Sequence, residues 1–391
     1  MVALISSLAV SGTSCFAQSD SKDSAEDKES TNDRIARVQI GDTGTGYKTV
    51  LTGEGELLRG SPVMVFKYRR GQVLEQGSQE DFDYVYSKKY WDDLAALGLN
   101  SVRLVAFDPW QRSHGDAGSD IAYPYADLWD QKDIDAMYKD FDKVVEMAEA
   151  RGMYVLINYH DTGGFRDPTG VAGEDRHFEY ARSIHYFRRF WVLVAERYGK
   201  QTNVFFELAN EPVQWHPNDY NSQDIAGLMD GYETIRRYAP DTHVILGSFA
   251  TPATWIDEKS MLAVAEEFKT RGVTFENESI GFHPYQLADP FIDETGKQRL
   301  DIVSELKRVA DAGIALVNTE QNFPTESGLT SDPQAPPLFK EHSTGVQSME
   351  SMGISWFHWN TAGPEEFSNL VYLTRDAKAK GYSWLIDQPE K

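Results

Sequence analysis

The chain has 391 residues and a formal net charge of −23. That balance argues against nucleic acid, which needs a basic patch, and against an anionic membrane surface or an anionic polymer. With 41% hydrophobic and 12% aromatic residues the composition is globular, with enough apolar material for a large core and a neutral or cationic ligand.

The segment from Met1 to Ala17 carries an apolar run, Val2 to Val10, followed by small residues and Cys15-Phe16-Ala17. It resembles a secretory signal peptide, although the usual positive start is missing, and it predicts a secreted or periplasmic protein. Cys15 is the only cysteine. Gly12-Thr13-Ser14 before it makes a poor lipid-attachment motif. Removal of the signal would leave no disulfide and no thiolate chemistry. Residues 18–34, QSDSKDSAEDKESTNDR, hold a single alanine as their only apolar residue. Such a stretch cannot offset the entropy of ordering and is expected to be a disordered acidic linker. No later run is long and apolar enough to span a membrane. No second linker follows, so residues 35–391 are expected to form one catalytic domain.

Within that domain short apolar runs alternate with amphipathic stretches of helical length. The runs are Val63-Phe66, Ser101-Phe107, Tyr154-Tyr159, Val204-Leu208, His243-Ser248, Ser279-His283, Ala315-Thr319 and Ile354-Trp359. Helices are predicted between them, for example over Tyr90-Leu97, Asp133-Ala150, Phe178-Tyr198, Ala226-Tyr238, Leu300-Ala312 and Leu338-Met352. Gly98, Gly152, Gly272, Gly313 and Gly353 stand where left-handed helix ends belong. Strand ends fall near 66, 107, 159, 210, 248, 283, 319 and 359, each interval long enough for a strand, a crossover helix and some loop. Eight such units predict a (β/α)8 TIM barrel. A doubly wound sheet is the competing fold, but the glycine-rich turn it usually carries after its first strand is missing.

Polar residues cluster at the carboxyl ends of these runs, where parallel α/β folds place their chemistry. The fourth run ends Asn210-Glu211-Pro212, and proline, which has no N–H for a sheet ladder, marks the start of a loop. Elsewhere stand Arg103, His160, His283-Pro284-Tyr285, Glu320 and Trp359. Each has a bland explanation by itself: a buried ion pair, a core histidine, a packed ring. A barrel brings all these ends around one pit. Two carboxylates, Glu211 and Glu320, face each other there by prediction, and such a pair is what glycoside hydrolysis uses. A separation of about 5–5.5 Å means retention and about 6.5–9.5 Å inversion.

From about Leu58 to Trp359 the pattern resembles glycoside hydrolase clan A and, within it, family 5. The resemblance rests on Asn210-Glu211-Pro212, Phe282-His283-Pro284-Tyr285, Glu320 and Trp359, with Arg103 and His160 completing that family's eight usual active-site positions. It implies a retaining mechanism with Glu211 as acid/base and Glu320 as nucleophile. Glu211 must stay protonated near neutral pH, which burial or a negative neighbour can bring about. Arg103 would keep Glu320 ionised, and Tyr285 could donate a hydrogen bond to it. Asn210 would bind the sugar 2-hydroxyl, His160 and His283 would position hydroxyls or tune the carboxylates, and Trp359 would form an apolar floor. Asn158-Tyr159-His160-Asp161 and Trp359-Asn360-Thr361-Ala362-Gly363 depart from the wording common in the family's cellulases, which bears on the substrate more than on the reaction.

Trp215 and Trp255, with Trp110, His216 and Phe323, fall in loops predicted on the same face and are candidates for stacking on pyranose rings. No metal-ligand spacing is present, so no metal and no cofactor are expected. The expected partner is a β-linked polysaccharide or oligosaccharide, with no nucleic acid, no membrane span and a monomer as the default. Endo-acting cleavage of a β-1,4-glucan or mannan leads. An exo-acting β-glycosidase is the alternative, because long loops after the second and third strands could close one end of a cleft. An inactive carbohydrate-binding barrel is disfavoured, because both carboxylates are kept.

Overall fold

A computed structural model describes residues 35–64, 86–96, 98–107, 128–160, 180–212, 217–249, 259–284, 291–292, 298–299, 302–321 and 345–358. The strands are β1 Gln39–Asp42, β2 Lys48–Leu51, β3 Arg59–Met64, β4 Ser101–Phe107, β5 Tyr154–His160, β6 Val204–Glu207, β7 Val244–Phe249, β8 Glu278–Phe282, β9 Phe291–Ile292, β10 Gln298–Arg299, β11 Ala315–Gln321 and β12 Trp356–His358. The helices are α1 Lys88–Ala96, α2 Gln131–Glu149, α3 Tyr180–Tyr198, α4 Ser222–Tyr238, α5 Met261–Thr270, α6 Ile302–Asp311 and α7 Gly345–Met352. Strands β3 to β8, β11 and β12 pair in parallel in that order. The ring closes through the β8–β11 and β12–β3 pairings. This is the expected (β/α)8 barrel.

Alternation along each strand divides the barrel's contents in two. Val155, Ile157, Phe206, Leu246 and Leu316 point outward and pack beneath the helices with Phe141, Phe187 and Trp191. Leu156, Phe205, Ile245, Val317 and Phe357 point inward and form a separate cluster with Val38, Val50, Leu58 and Tyr154. Burying each such side chain contributes about 1.5–3 kcal/mol. The inner cluster fills the amino end of the barrel and leaves the carboxyl end to polar groups.

Two boundaries differ from the sequence reading for identifiable reasons. The first barrel strand begins at Arg59, four residues before the apolar run at Val63, because Gly60-Ser61-Pro62 reads as a turn. Pro62 nonetheless stands opposite Arg103 in the β3–β4 pairing. Helix α4 begins at Ser222, ahead of the expected Ala226, because Asn221 and Asp224 form a reciprocal capping box. The antiparallel hairpin β1–β2 is absent from the eight runs, its strands being only four residues each. It supplies Val50 to the inner cluster, and Thr49 Oγ1 donates to the Leu316 carbonyl at 2.7 Å.

Two strands contain one extra residue. In β7, Ile245 stands opposite Ser279 and Ser248 opposite Gly281, so three steps on one strand match two on the other. In β11, Asn318 stands opposite Trp356 and Gln321 opposite His358, the same mismatch. Such bulges reset the alternation. Ile245 and Ser248 both reach the interior across an odd spacing, as do the neighbours Thr319 and Glu320. Gly247 absorbs the first bulge at φ +150°, a region that side chains avoid. Gly247→Ala is therefore expected to lower unfolding free energy by about 1–3 kcal/mol, measured by urea denaturation. An unchanged midpoint would refute the strain at this position.

Candidate active site

Arg103 is fully buried inside the barrel on β4. A buried cation is tolerable only when its donors are met by acceptors and its charge by an anion. All three arms of the guanidinium are used. Nε donates to Glu207 Oε2 at 2.6 Å, and Nη2 donates to Glu207 Oε1 at 2.9 Å and Asn210 Oδ1 at 2.6 Å. Nη1 donates to Glu320 Oε1 at 2.5 Å. Burial opposes the charge on Arg103, and the Glu207 and Glu320 carboxylates more than offset it, holding the guanidinium protonated above its ordinary range. Asn210 spends its carbonyl on Arg103, which leaves its N–H donors for another acceptor.

Asn210 and Glu211 follow β6 and are pinned to both neighbouring strands. Asn210 N–H donates to the Tyr159 carbonyl at 2.9 Å, and Ser248 N–H donates to the Asn210 carbonyl at 3.1 Å. Glu211 Oε1 lies 2.7 Å from His283 Nδ1. The same nitrogen is 3.5 Å from Glu320 Oε2. One donor atom from each of Glu211, His283 and Glu320 lies within 4.8 Å of the others. Among the described residues these three groups are also the cluster that could hold a cation, although Arg103 already occupies one oxygen of Glu320. The two carboxylates differ in access: the Glu211 side chain is 14% exposed and that of Glu320 5%.

His160 ends β5 with Nδ1 2.9 Å from Asn158 Oδ1 and 4.0 Å from Glu320 Oε1. Desolvation pushes its pKa down to about 3; Glu320 opposes this, and Arg103 adds to it. His160 is then neutral and gives its Nδ1 proton to Asn158. His358, on β12, is likewise pushed down to about 3 by burial, with Nε2 3.4 Å from Ser61 Oγ.

Six expected site residues therefore fall among the described ones, and Arg103, His160, Asn210, Glu211, His283 and Glu320 converge on one pit. Tyr285, Trp359, Trp215 and Trp255 lie outside the described residues, as do Trp110, His216 and Phe323. Sequence reasoning gave no role to Glu207, Ser248 or Thr319. Glu207 had a usable signal: it is the one charge within the apolar run Val204-Leu208, and a charge buried on a strand demands a counter-ion. Ser248 and Thr319 had none, since a hydroxyl at a strand end is ordinary and the bulges that turn these two inward leave no mark in the sequence.

The buried histidines make a prediction about pH. His160, His358 and, at the opposite end of the barrel, His243 have folded pKa values near 3, against about 6.5 in an unfolded chain. Between those values the unfolded chain binds more protons, so stability is level above pH 7 and falls as pH drops from 6.5 toward 3. Each histidine should remove about 2 kcal/mol between pH 7.5 and 5. Urea denaturation of His243→Gln at the two pH values should show a pH-dependent loss smaller by about that amount. An equal loss in parent and variant would rule out a buried neutral His243.

Comparison with known proteins places this geometry in context. A family profile described as Cellulase (glycosyl hydrolase family 5) matches residues 72–364. Endoglucanase MaCel5A of Microbulbifer sp. (strain ALW1) is 25% identical over 221 residues, 56% of this chain and 36% of that protein. Endoglucanase E-5 of Thermobifida fusca is 27% identical over 244 residues, 62% of this chain and 44% of that protein. The chain thus spans less than half the length of these two relatives. A solved β-glucanase, SdGluc5_26A from Saccharophagus degradans in complex with cellotetraose, superposes with a TM-score of 0.52 at 15% identity, covering 88% of this chain and 94% of that one. At that identity the likeness is one of fold.

Proposed function

The chain belongs to glycosyl hydrolase family 5, and from that premise we propose that it is a retaining endo-β-1,4-glucanase with Glu211 as acid/base and Glu320 as nucleophile. The observation that carries this reading is the spacing of the two carboxylates. One oxygen of each lies within 4.8 Å of the other's, a close approach that favours direct attack by one carboxylate over the wider separation of an inverting pair.

In the first step Glu320 attacks the anomeric carbon through Oε2, the oxygen that Arg103 does not hold. Glu211 gives its proton to the glycosidic oxygen, whose bond to that carbon breaks. In the second step a water gives a proton to Glu211 and attacks the same carbon, and the ester bond to Glu320 breaks with the original anomeric configuration restored. The environments fit these roles. Glu320 is deeply buried against a guanidinium that stabilises its ionised form, and Glu211 is the more open of the two, as exchange with leaving group and water requires. Asn210 has N–H donors to offer a sugar hydroxyl, an interaction that strengthens as positive charge grows at the anomeric carbon.

A neutral glucan suits a chain of net charge −23. The relatives named as endoglucanases favour glucan over mannan, and the neighbour holding cellotetraose favours a β-linked glucose oligomer. Export through the apolar segment at Met1 to Ala17 fits a polymer too large to enter a cell.

Glu320→Ala is expected to lower turnover by about 10⁴-fold or more, and added azide should restore it with an α-glycosyl azide as product. Unchanged activity in that variant would remove Glu320 from the role. During early hydrolysis, proton NMR should show the β-anomer first; the α-anomer first would mean inversion. Sizing the products from a panel of glucans and mannans should give mixed oligomers from β-1,4-glucan, whereas release of a single unit from one end would make the enzyme exo-acting.

A further inference from the structure

A chain of hydrogen bonds joins the Arg103–Glu207 pair to the Glu211–His283 pair through two hydroxyls that have no role in the steps above. Ser248 Oγ lies 2.7 Å from Glu207 Oε1 and 2.6 Å from Thr319 Oγ1. Thr319 Oγ1 lies 2.9 Å from His283 Nε2, and His283 Nδ1 lies 2.7 Å from Glu211 Oε1. Glu207, Ser248, Thr319 and His283 are all buried. Each contact of this length must contain a proton, since two bare lone pairs at that distance repel.

The protons can be assigned link by link. Glu207 takes two N–H bonds from Arg103 as an ionised carboxylate and is an acceptor only. The proton in its contact with Ser248 therefore belongs to the serine. A hydroxyl has one proton, so Ser248 has none left and Thr319 must donate to it. Thr319 is then spent in turn, and its contact with His283 is filled by the Nε2 proton of the imidazole. In a neutral ring this leaves Nδ1 bare toward Glu211.

We propose that Glu207, Ser248 and Thr319 are positioning residues that fix the tautomer of His283, so that a bare Nδ1 faces Glu211 and the pair keeps a single proton poised for the leaving oxygen. This inference rests on reading Glu211 as the acid/base. The relay orients and does not conduct. Glu207 cannot take the serine proton without giving up its ion pair with Arg103, so the proton passed to the substrate comes from the Glu211–His283 pair and is replaced there by the attacking water. Among the described residues, Glu320, 3.5 Å from Nδ1, and Arg103 and His160 on its far side are the other charged or titratable groups that face the pair.

The fold has accommodated this arrangement. The bulge at Gly247 turns Ser248 inward, and the bulge in β11 allows Thr319 to face in beside Glu320. Gly281 on β8 makes room, since a Cβ there would stand 2.0 Å from Ser248 Oγ.

The test compares Thr319→Val, which keeps the shape and removes the hydroxyl, with Thr319→Ser, which restores it. On aryl β-cellobiosides with poor leaving groups, which need the acid, Thr319→Val should lower kcat/KM about 10-fold, part of the 10²–10⁴ that a general acid contributes. On a dinitrophenyl cellobioside, which needs little protonation, the change should stay within about 2-fold, and Thr319→Ser should return the slow substrates to within about 3-fold of the parent. Nitrogen-15 NMR of the parent should show His283 protonated at Nε2, and Thr319→Val should show both tautomers. An equal loss across all leaving groups, or a parent His283 protonated at Nδ1 alone, would overturn the relay. Glu211→Gln serves as the control: if it too lacks leaving-group dependence, the acid/base reading fails, and the parent's NMR signal still decides the tautomer. That signal needs no variant, so a poorly folding Thr319→Val leaves the proposal testable.

Discussion

Among the described residues, the polar groups of β6 and β11 at the carboxyl end of this barrel converge on one buried guanidinium. Arg103 cannot leave the interior, and it cannot remain there without acceptors for its donors. Glu207 takes two of them, Asn210 one and Glu320 one. Removing either carboxylate would leave the cation undercompensated, and removing the cation would strand two carboxylates. Either change costs about 3–5 kcal/mol in comparable buried pairs. Because β4, β6 and β11 are not adjacent in the sheet, only a closed barrel can bring their ends to a single guanidinium. The ion pair and the fold therefore require each other.

A closed barrel also imposes strict alternation, and the site needs more inward side chains than alternation supplies. Two extra residues, one in β7 and one in β11, resolve the conflict locally. Each leaves the inner apolar layer below it intact, with Ile245 and Val317 still packed against Phe205 and Phe357. Each then resets the register just above that layer, so that Ser248 in one strand and both Thr319 and Glu320 in the other face the pit. Backbone irregularity is thus confined to the boundary between the half of the barrel that provides stability and the half that carries chemistry.

This boundary also explains what the sequence could and could not tell. The eight strands and the barrel are legible because burial on both faces writes long apolar runs, and the helices because glycines mark their ends. Glu211 and Glu320 are legible because a carboxylate directly after such a run is unusual. The hairpin at 39–51 is hidden because its strands are short and it gains its meaning from the barrel end it caps. The start of β3 is hidden because Gly60-Ser61-Pro62 has turn chemistry that tertiary pairing overrides. Glu207 is legible in principle, because a charge inside an apolar run demands a counter-ion, and Arg103 is one. Ser248 and Thr319 were out of reach, since a one-residue bulge depends on how two strands pair and neither strand alone encodes it.

The two catalytic candidates are the same residue type within a few ångströms of each other, so their chemistry has to come from their neighbours. Glu320 receives an N–H from a guanidinium that never gives up its proton, which favours the ionised form a nucleophile needs. Glu211 meets an imidazole nitrogen at 2.7 Å, and the other nitrogen of that ring lies 2.9 Å from Thr319 Oγ1. One carboxylate faces a permanent donor and the other an imidazole nitrogen, an acceptor in the tautomer proposed above. Arg103 stands behind both: it binds Glu320 directly, and through Glu207 it anchors the hydroxyls that orient His283. The different surroundings of the pair therefore trace to one cation, reached by a single hydrogen bond on one side and by a relay of five contacts on the other.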